Sequence, residues 1–338
     1  MKHLLRSFGF SLGLTMVAFA FVLLRMGAAA LLVMAILAAI ELAFSFDNAV
    51  INAQVLNRLS PFWQKLFLSL GIIIAIFGVR IVLPLAIVSL TAHLGIGTVA
   101  DLALHHPHVY ADKLELAHPS ITAFGGAFLL MLVLHFLMAE REVYWLRFIE
   151  RPFRRAAKWW VPLVCTLLVV AGLSLLPENA HKGATLSAGL VGMVIYAALN
   201  GLMELMGKLF GADAKGAKQV GWAAFATFAY LELLDASLSF DGVIGAFAIT
   251  SDVVLIALGL GVGALWVRSL TVYMVRRRTL EAYKYLEHGA HYAIGILAVT
   301  MLFAPIVATP DFVSGVLCLG IIAAALVTSR QAAEHEEI

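Results

Sequence analysis

Charge is scarce in this chain. Asp, Glu, Lys and Arg make up 13% of its 338 residues, against roughly 25% in a soluble domain. The formal net charge is only +2, which implies no nucleic-acid partner. Cysteine is nearly absent, and Cys165 and Cys318 each sit inside an apolar run. A disulfide framework and a clustered thiolate metal centre are thereby excluded as organising features. No Walker-type phosphate loop occurs. The His-Glu-x-x-His pattern is missing too, and Glu287-His288-x-x-His291 is a poor substitute for it. The chain is therefore not read as an enzyme, and no tightly bound cofactor is expected.

What fills the space is hydrocarbon. Hydrophobic residues make up 62% of the chain, and mean hydropathy is +0.96. The apolar runs are continuous and each long enough to cross about 30 Å of hydrocarbon, which takes about 20 residues. A barrel would show short alternating strands instead. The expectation is an all-α polytopic membrane protein in contact with membrane lipid. About ten spans are read: 8–25, 28–56, 64–92, 121–139, 160–177, 184–205, 221–250, 253–275, 290–308 and 312–329. Residues 1–26 have the basic start and apolar core of a signal peptide. Arg25 interrupts the candidate cleavage region and the core is long, so an uncleaved first helix is expected.

Basic residues orient the spans. Of the 23 Lys and Arg residues, Arg25, Lys113 and Lys182 fall in one set of connecting segments and Arg80 and Arg268 within spans; the remaining 18 all fall in the other set. That asymmetry predicts both termini on the cytoplasmic side. The basic, aromatic segment from Arg147 to Trp160 is expected at the inner headgroup interface. The longest external segment, 93–120, holds His93, His105, His106, His108 and His118. A metal-gathering role there competes with a plain solvated or re-entrant segment, which is the expectation.

The most informative residues are the few acids inside the spans. A carboxylate at mid-bilayer costs about 2.5–3.5 kcal/mol on insertion scales. Yet one acidic pattern occurs twice: Glu41-x-x-x-Ser45-Phe46-Asp47-Asn48 in the second span and Asp235-x-x-x-Ser239-Phe240-Asp241-Gly242 in the seventh. The two spans run in opposite directions on this topology. That predicts an inverted repeat, with halves 1–177 and 178–338 and a site near the midplane. The following spans carry Arg80 and Arg268. Glu41 and Arg80 lie about 19 and 20 residues from their shared turn, and Asp235 and Arg268 about 16 and 17 from theirs. At about 1.5 Å per residue each pair is level, so Glu41 should face Arg80 and Asp235 should face Arg268.

Asp47 and Asp241 each follow their partner acid by six residues, which is about 240° around an intact helix. Either the helices unwind at Ser-Phe-Asp or the second acids look elsewhere. Gly242 and Gly245 favour unwinding in the seventh span. Asn48 and Asn52 supply further carbonyls in the second. The polar set inside these spans is Glu41, Ser45, Asp47, Asn48, Asn52, Glu232, Asp235, Ser237, Ser239, Asp241 and Thr250, with Arg80 and Arg268 on the neighbouring spans. Such an oxygen-rich set suits hard divalent cations. Five acids against two arginines leave a surplus that a bound cation or protonation of the acids would offset. The alternative is a structural ion-pair network. His135, His288 and His291 could assist a softer ion or relay protons, or simply pack.

These residues resemble the TerC superfamily of bacterial integral membrane proteins, and most closely a branch described only as uncharacterised. The likeness rests on Glu41 with Ser45 to Val50, on the long run from Leu231 to Thr250, on Val267-Arg268-Ser269-Leu270 and on Tyr285 to Tyr292. It covers most of the chain. It implies a LysE/TerC-like core in the bacterial inner membrane, and a transporter, with characterised TerC relatives exporting manganese. A divalent cation, Mn²⁺ first, would then be substrate, bound by Glu41, Asp47, Asp235 and Asp241 with Asn48 beside them. The chain departs from the family pattern in having more than seven expected spans, in Gly242 where a small hydroxyl residue is common, and in His135 where the close branch often has an acid. An accessory protein for insertion, folding or metallation of other proteins is the competing class. Homo-oligomerisation is left open by the residues.

Overall fold

The computed structural model describes residues 2–141, 143–210, 218–247, 249–250, 252–277, 279–307 and 311–336, apart from the side chains of 2–7, 44, 68, 203, 206–210, 239–241, 244–245, 280–281, 311–312 and 334–336. Every regular element among them is helical. The order is α1 (Lys2–Met26), α2 (Ala28–Phe44), α3 (Phe46–Leu56), α4 (Pro61–Ile73), a π-helical segment (Ile74–Val82), α5 (Leu83–Thr91), α6 (Ile96–His105) and α7 (Pro107–Met138). There follow α8 (Arg147–Arg155), α9 (Val161–Leu175), α10 (Lys182–Phe210), α11 (Gly221–Phe247), α12 (Val253–Arg277), the single turn α13 (Thr279–Ala282), α14 (Leu286–Phe303) and α15 (Asp311–Glu336).

Local chemistry sets several boundaries. Gly27 separates α1 from α2 at φ 90°, a conformation that costs a side-chain-bearing residue energy. Pro61, Pro84 and Pro162 sit in the first two positions of α4, α5 and α9, where a missing N–H is harmless. The π segment lies just ahead of Pro84 and ends with the Leu83 N–H bonding the carbonyl five residues back, at Gly78. The helix thus widens where the proline ring is about to remove a donor.

Among the described residues seven helices are long and apolar enough to cross a membrane: Phe8–Met26, Pro61–Thr91, Pro107–Met138, Lys182–Leu202, Val253–Arg277, Leu286–Phe303 and Val313–Ala333. The pair Ala28–Ala43 and Phe46–Leu56, bent by 53°, makes an eighth if taken as one span. The chain is therefore an all-helical, multi-pass membrane protein. The count is lower than the ten expected, although each expected segment is helical. α9 has only 15 residues, about 22 Å of helix. α11 has the length, with 27 residues, but carries Glu232, Asp235 and Asp241 within one apolar stretch.

Two compact units are built from interleaved stretches of chain: Met1–His118 with Thr227–Arg277, and Pro119–Ala226 with Arg278–Ile338. Each draws on both sequence halves. In the first, α12 is the central helix and packs most extensively on α2, then on α3, α1, the π segment and α4. Its glycines make that approach close. A Cβ on Gly259 would lie 2.7 Å from the Leu37 Cβ, and one on Gly263 would overlap the Glu41 side chain and sit 2.9 Å from the Ala38 carbonyl. Gly259 and Gly263 are one turn apart, the spacing by which small residues let membrane helices touch backbone to backbone. Leu37, Val243, Ala246, Ile256 and Leu260 form an adjoining buried cluster. The second unit pairs α14 with α15 and α10 with α9, again over small residues, Gly289 on Ala325 and Gly189 on Val170.

Gly263→Ala should therefore lower stability by about 1–3 kcal/mol, the usual cost of overfilling a packed site. Unfolding in mixed detergent micelles measures this. An unchanged transition would mean that α2 and α12 do not pack at this depth.

Candidate functional site

The first acidic motif sits at a break. α2 ends at Phe44, Ser45 departs from the helix at φ −99°, ψ 22°, and α3 restarts at Phe46. The Ser45 N–H still bonds the Glu41 carbonyl at 3.0 Å. Its hydroxyl donates to Glu41 Oε1 at 3.2 Å. A serine that can bond its own neighbourhood competes with the helix ladder, which favours a break there. Asp47 then falls in the first turn of α3, where free N–H groups and the helix dipole stabilise a carboxylate. The Asn48 N–H donates to Asp47 Oδ1 at 2.9 Å.

The second motif does not break. α11 runs without interruption from Gly221 to Phe247, so of the two alternatives the unwinding at Gly242 and Gly245 does not occur. One glycine weakens a helix interior by only about 1 kcal/mol, which packing readily overrides. Gly242 instead gives room: a Cβ there would stand 3.3 Å from Glu41 Oε2. The side chains of Ser239 and Asp241 lie outside the described residues.

Both arginines meet the acids that their depths indicate. Arg80, in the π segment, is ion-paired to Glu41 and also donates from Nη1 to the carbonyl of Ala75, at 2.7 Å. Arg268 is 1% exposed and more heavily engaged. Its Nη1 and Nη2 bond the two oxygens of Glu232 at 3.1 and 2.9 Å, and Nη2 reaches Asp235 Oδ2 at 3.1 Å. Nη1 also donates to the Phe67 carbonyl at 3.0 Å, and the guanidinium lies over the Phe67 ring, 4.2 Å from its centre. Gly71 makes the space, since a Cβ there would lie 2.5 Å from Glu232 Oε1. This two-pronged grip on Glu232 is the strong form of an arginine–carboxylate pair.

The acids form a string. Asp47 and Glu41 are close enough to repel each other, as are Glu41 and Asp235, and Asp235 and Glu232. Both motifs therefore converge within the first unit. Four acids share two arginines, and both cations lie on the Glu41, Asp235 and Glu232 part of the string. Asp47 is 3% exposed, and among the described residues no basic side chain pairs with it. Asn48 and Asn52 occupy one face of α3, a turn apart. Asn52 is fully buried, yet both atoms of its amide are without a hydrogen-bond partner among the described residues. An unsatisfied buried amide costs about 1–3 kcal/mol and calls for an explanation. No three His, Cys, Asp or Glu side chains among the described residues gather closely enough to hold a metal ion. The candidate donors are thus strung along the helices, with the Asn48 and Asn52 amides on α3 after Asp47.

The histidines pack. In the second unit, His291 stacks on Phe136 with ring centres 3.5 Å apart and bonds the Glu287 carbonyl at 2.8 Å. His288 bonds the Val143 carbonyl at 3.1 Å, and His135 lies against Tyr196. In the histidine-rich segment 93–120, which is helical through α6 and the start of α7, His105 forms an exposed pair with Asp101 at 2.8 Å. The residues missed by sequence reasoning are Phe67, Gly71, Gly263 and the π turn that carries Arg80. Of these only Gly71 and Gly263 carry a signal in the sequence, and a glycine by itself does not say which helix it meets.

A family model described as Protein of unknown function (DUF475) matches residues 46–336. No curated protein and no solved structure matches the chain.

Replacing the cation of the four-way contact should be costly. Arg268→Met leaves Glu232 and Asp235 buried without a counter-charge, and about 3–5 kcal/mol of stability should be lost. The triple variant R268M/E232Q/D235N should recover most of it, read by thermal unfolding on size-exclusion chromatography. A stable single variant would mean that water, rather than Arg268, neutralises these acids.

Proposed function

The chain belongs to the DUF475 family, and we propose that it is a secondary transporter that carries a divalent metal cation, Mn²⁺ first among the candidates, out across the bacterial inner membrane. The observation that carries this reading is Asp47. It is a buried carboxylate without a basic partner among the described residues, next to Asn48 and five residues before Asn52 on the same helix, and beside a helix break. A bare carboxylate inside a membrane invites a cation. Carboxylate, amide and end-of-helix carbonyl oxygens favour a hard one.

The ion would step along the string of acids rather than rest in one closed cage. Asp47 receives it, with Asn48 and Asn52 contributing carbonyl oxygens. Glu41 and Asp235, already shared with Arg80 and Arg268, set the negative field and keep the ion from binding too tightly to leave. Asp241 would play the part of Asp47 in the other motif. Chain segments carrying both motifs and both arginines fall in one compact unit, Met1–His118 with Thr227–Arg277. That supports an inverted repeat with a LysE/TerC-like core, as does the sequence likeness to TerC. The bias of basic residues supports cytoplasmic termini. The energy would come from an ion gradient or the membrane potential.

A second reading is favoured by the arginines. Three of the four acids in the string are held by Arg80 and Arg268. A network of that kind also serves an accessory protein, one that inserts, folds or metallates others and uses its buried charges to fix helices.

Flux in proteoliposomes separates the two. Wild type should move Mn²⁺ under an imposed gradient, with Ca²⁺, Mg²⁺ and Zn²⁺ as comparisons. Asp47→Asn and Asp241→Asn should each reduce the rate about tenfold or more while the protein stays folded, as expected when a needed charge interaction of about 1.4 kcal/mol is lost. Absence of flux for all four ions in wild type would reject transport and favour the accessory role.

A further inference from the structure

We propose that α8 and the residues that follow it form a docking surface for anionic phospholipid headgroups. α8 lies between the end of the membrane-crossing α7 at Met138 and the start of α9 at Val161. From Arg147 to Lys158 the sequence carries Arg147, Arg151, Arg154, Arg155 and Lys158 against the single acid Glu150. At 100° per residue the four arginines fall on one arc of the helix, and Phe148, Ile149, Pro152 and Phe153 on the opposite arc. Such a division fits a helix lying in the interfacial plane, with its apolar side in the acyl boundary and its basic side among headgroups.

The single acid is used inward. Glu150 is buried. It accepts the backbone N–H groups of Trp145 and Leu146, both at 3.2 Å, and the hydroxyl of Tyr292 on α14 at 3.0 Å. It therefore fixes the start of α8 against its own unit and is turned away from the arginine face. Of the basic residues, Arg154 pairs with Glu140, whereas Arg147, Arg151, Arg155 and Lys158 are exposed. Next to them stand apolar rings in the open: Phe148 is 75% exposed and Trp159 86%. Lys158 Nζ rests 5.8 Å from the centre of the Trp160 ring. Cations set beside exposed tryptophan and phenylalanine fit an acidic headgroup with its upper acyl chain, and clustered Lys and Arg at a membrane surface select anionic lipid. A zwitterionic headgroup offers no net charge to four exposed cations.

The full chain purified in detergent tests this by native mass spectrometry during titration with phosphatidylglycerol or phosphatidylcholine. Wild type should retain phosphatidylglycerol in preference. R147Q/R151Q/R155Q should retain about tenfold less of it, or lower still, since each surface cation contributes to the attraction. Free glycerol phosphate should not compete. The proposal is overturned if both lipids are retained equally, if the triple variant holds phosphatidylglycerol as well as wild type does, or if glycerol phosphate displaces it. Should the triple variant not elute as a folded species, R151Q alone must show reduced retention. The readout is independent of transport, so loss of the transport reading leaves it intact.

Discussion

The contact on which the first unit depends is the grip of Arg268 on Glu232 and Asp235. Charge taken out of water into a helix bundle is unfavourable by several kcal/mol per ion unless a partner and further hydrogen bonds compensate it. Arg268 supplies the partner for two acids at once, donates a further bond to the Phe67 carbonyl and lies over the Phe67 ring. Residues from α4, α11 and α12 are therefore held at one depth. The neighbouring Arg80–Glu41 pair does the same for the π segment and α2.

Close approach is the second condition. A guanidinium reaches two carboxylates only if the helices touch, and glycines permit this. Gly71 opens room for Arg268 and Glu232, Gly263 for the stem of Glu41, and Gly242 for its carboxylate. Small residues and buried charges are thus two halves of one device: the glycines bring the helices together and the ion pairs fix their register. Helix contacts in lipid gain little from the hydrophobic effect, so packing and polar pairing carry this load.

What the charges do not offset defines the candidate site. Asp47 is buried, and it accepts a hydrogen bond from the backbone of α3. The break at Ser45 separates it in direction from Glu41 while keeping the two within electrostatic reach. The second motif carries the same acids on an unbroken helix. The two copies are thus closer in sequence than in backbone.

Much of this was legible from residues alone. The helical membrane class follows from long apolar runs, because lipid leaves backbone groups no alternative to internal bonding. The doubled motif singled out Glu41, Asp47 and Asp235, and counting residues to the shared turns matched Arg80 with Glu41 and Arg268 with Asp235, because helix rise is nearly constant. Other features belonged to the tertiary structure. The arrival of Glu232 in the Arg268 contact, the π turn before Pro84, the continuity of α11 through Gly242 and the packing of His291 on Phe136 each depend on which helix face meets which neighbour. Periodicity fixes depth along a helix, whereas rotation about its axis and the choice of partner are decided by packing, which the chain acquires only when its helices meet.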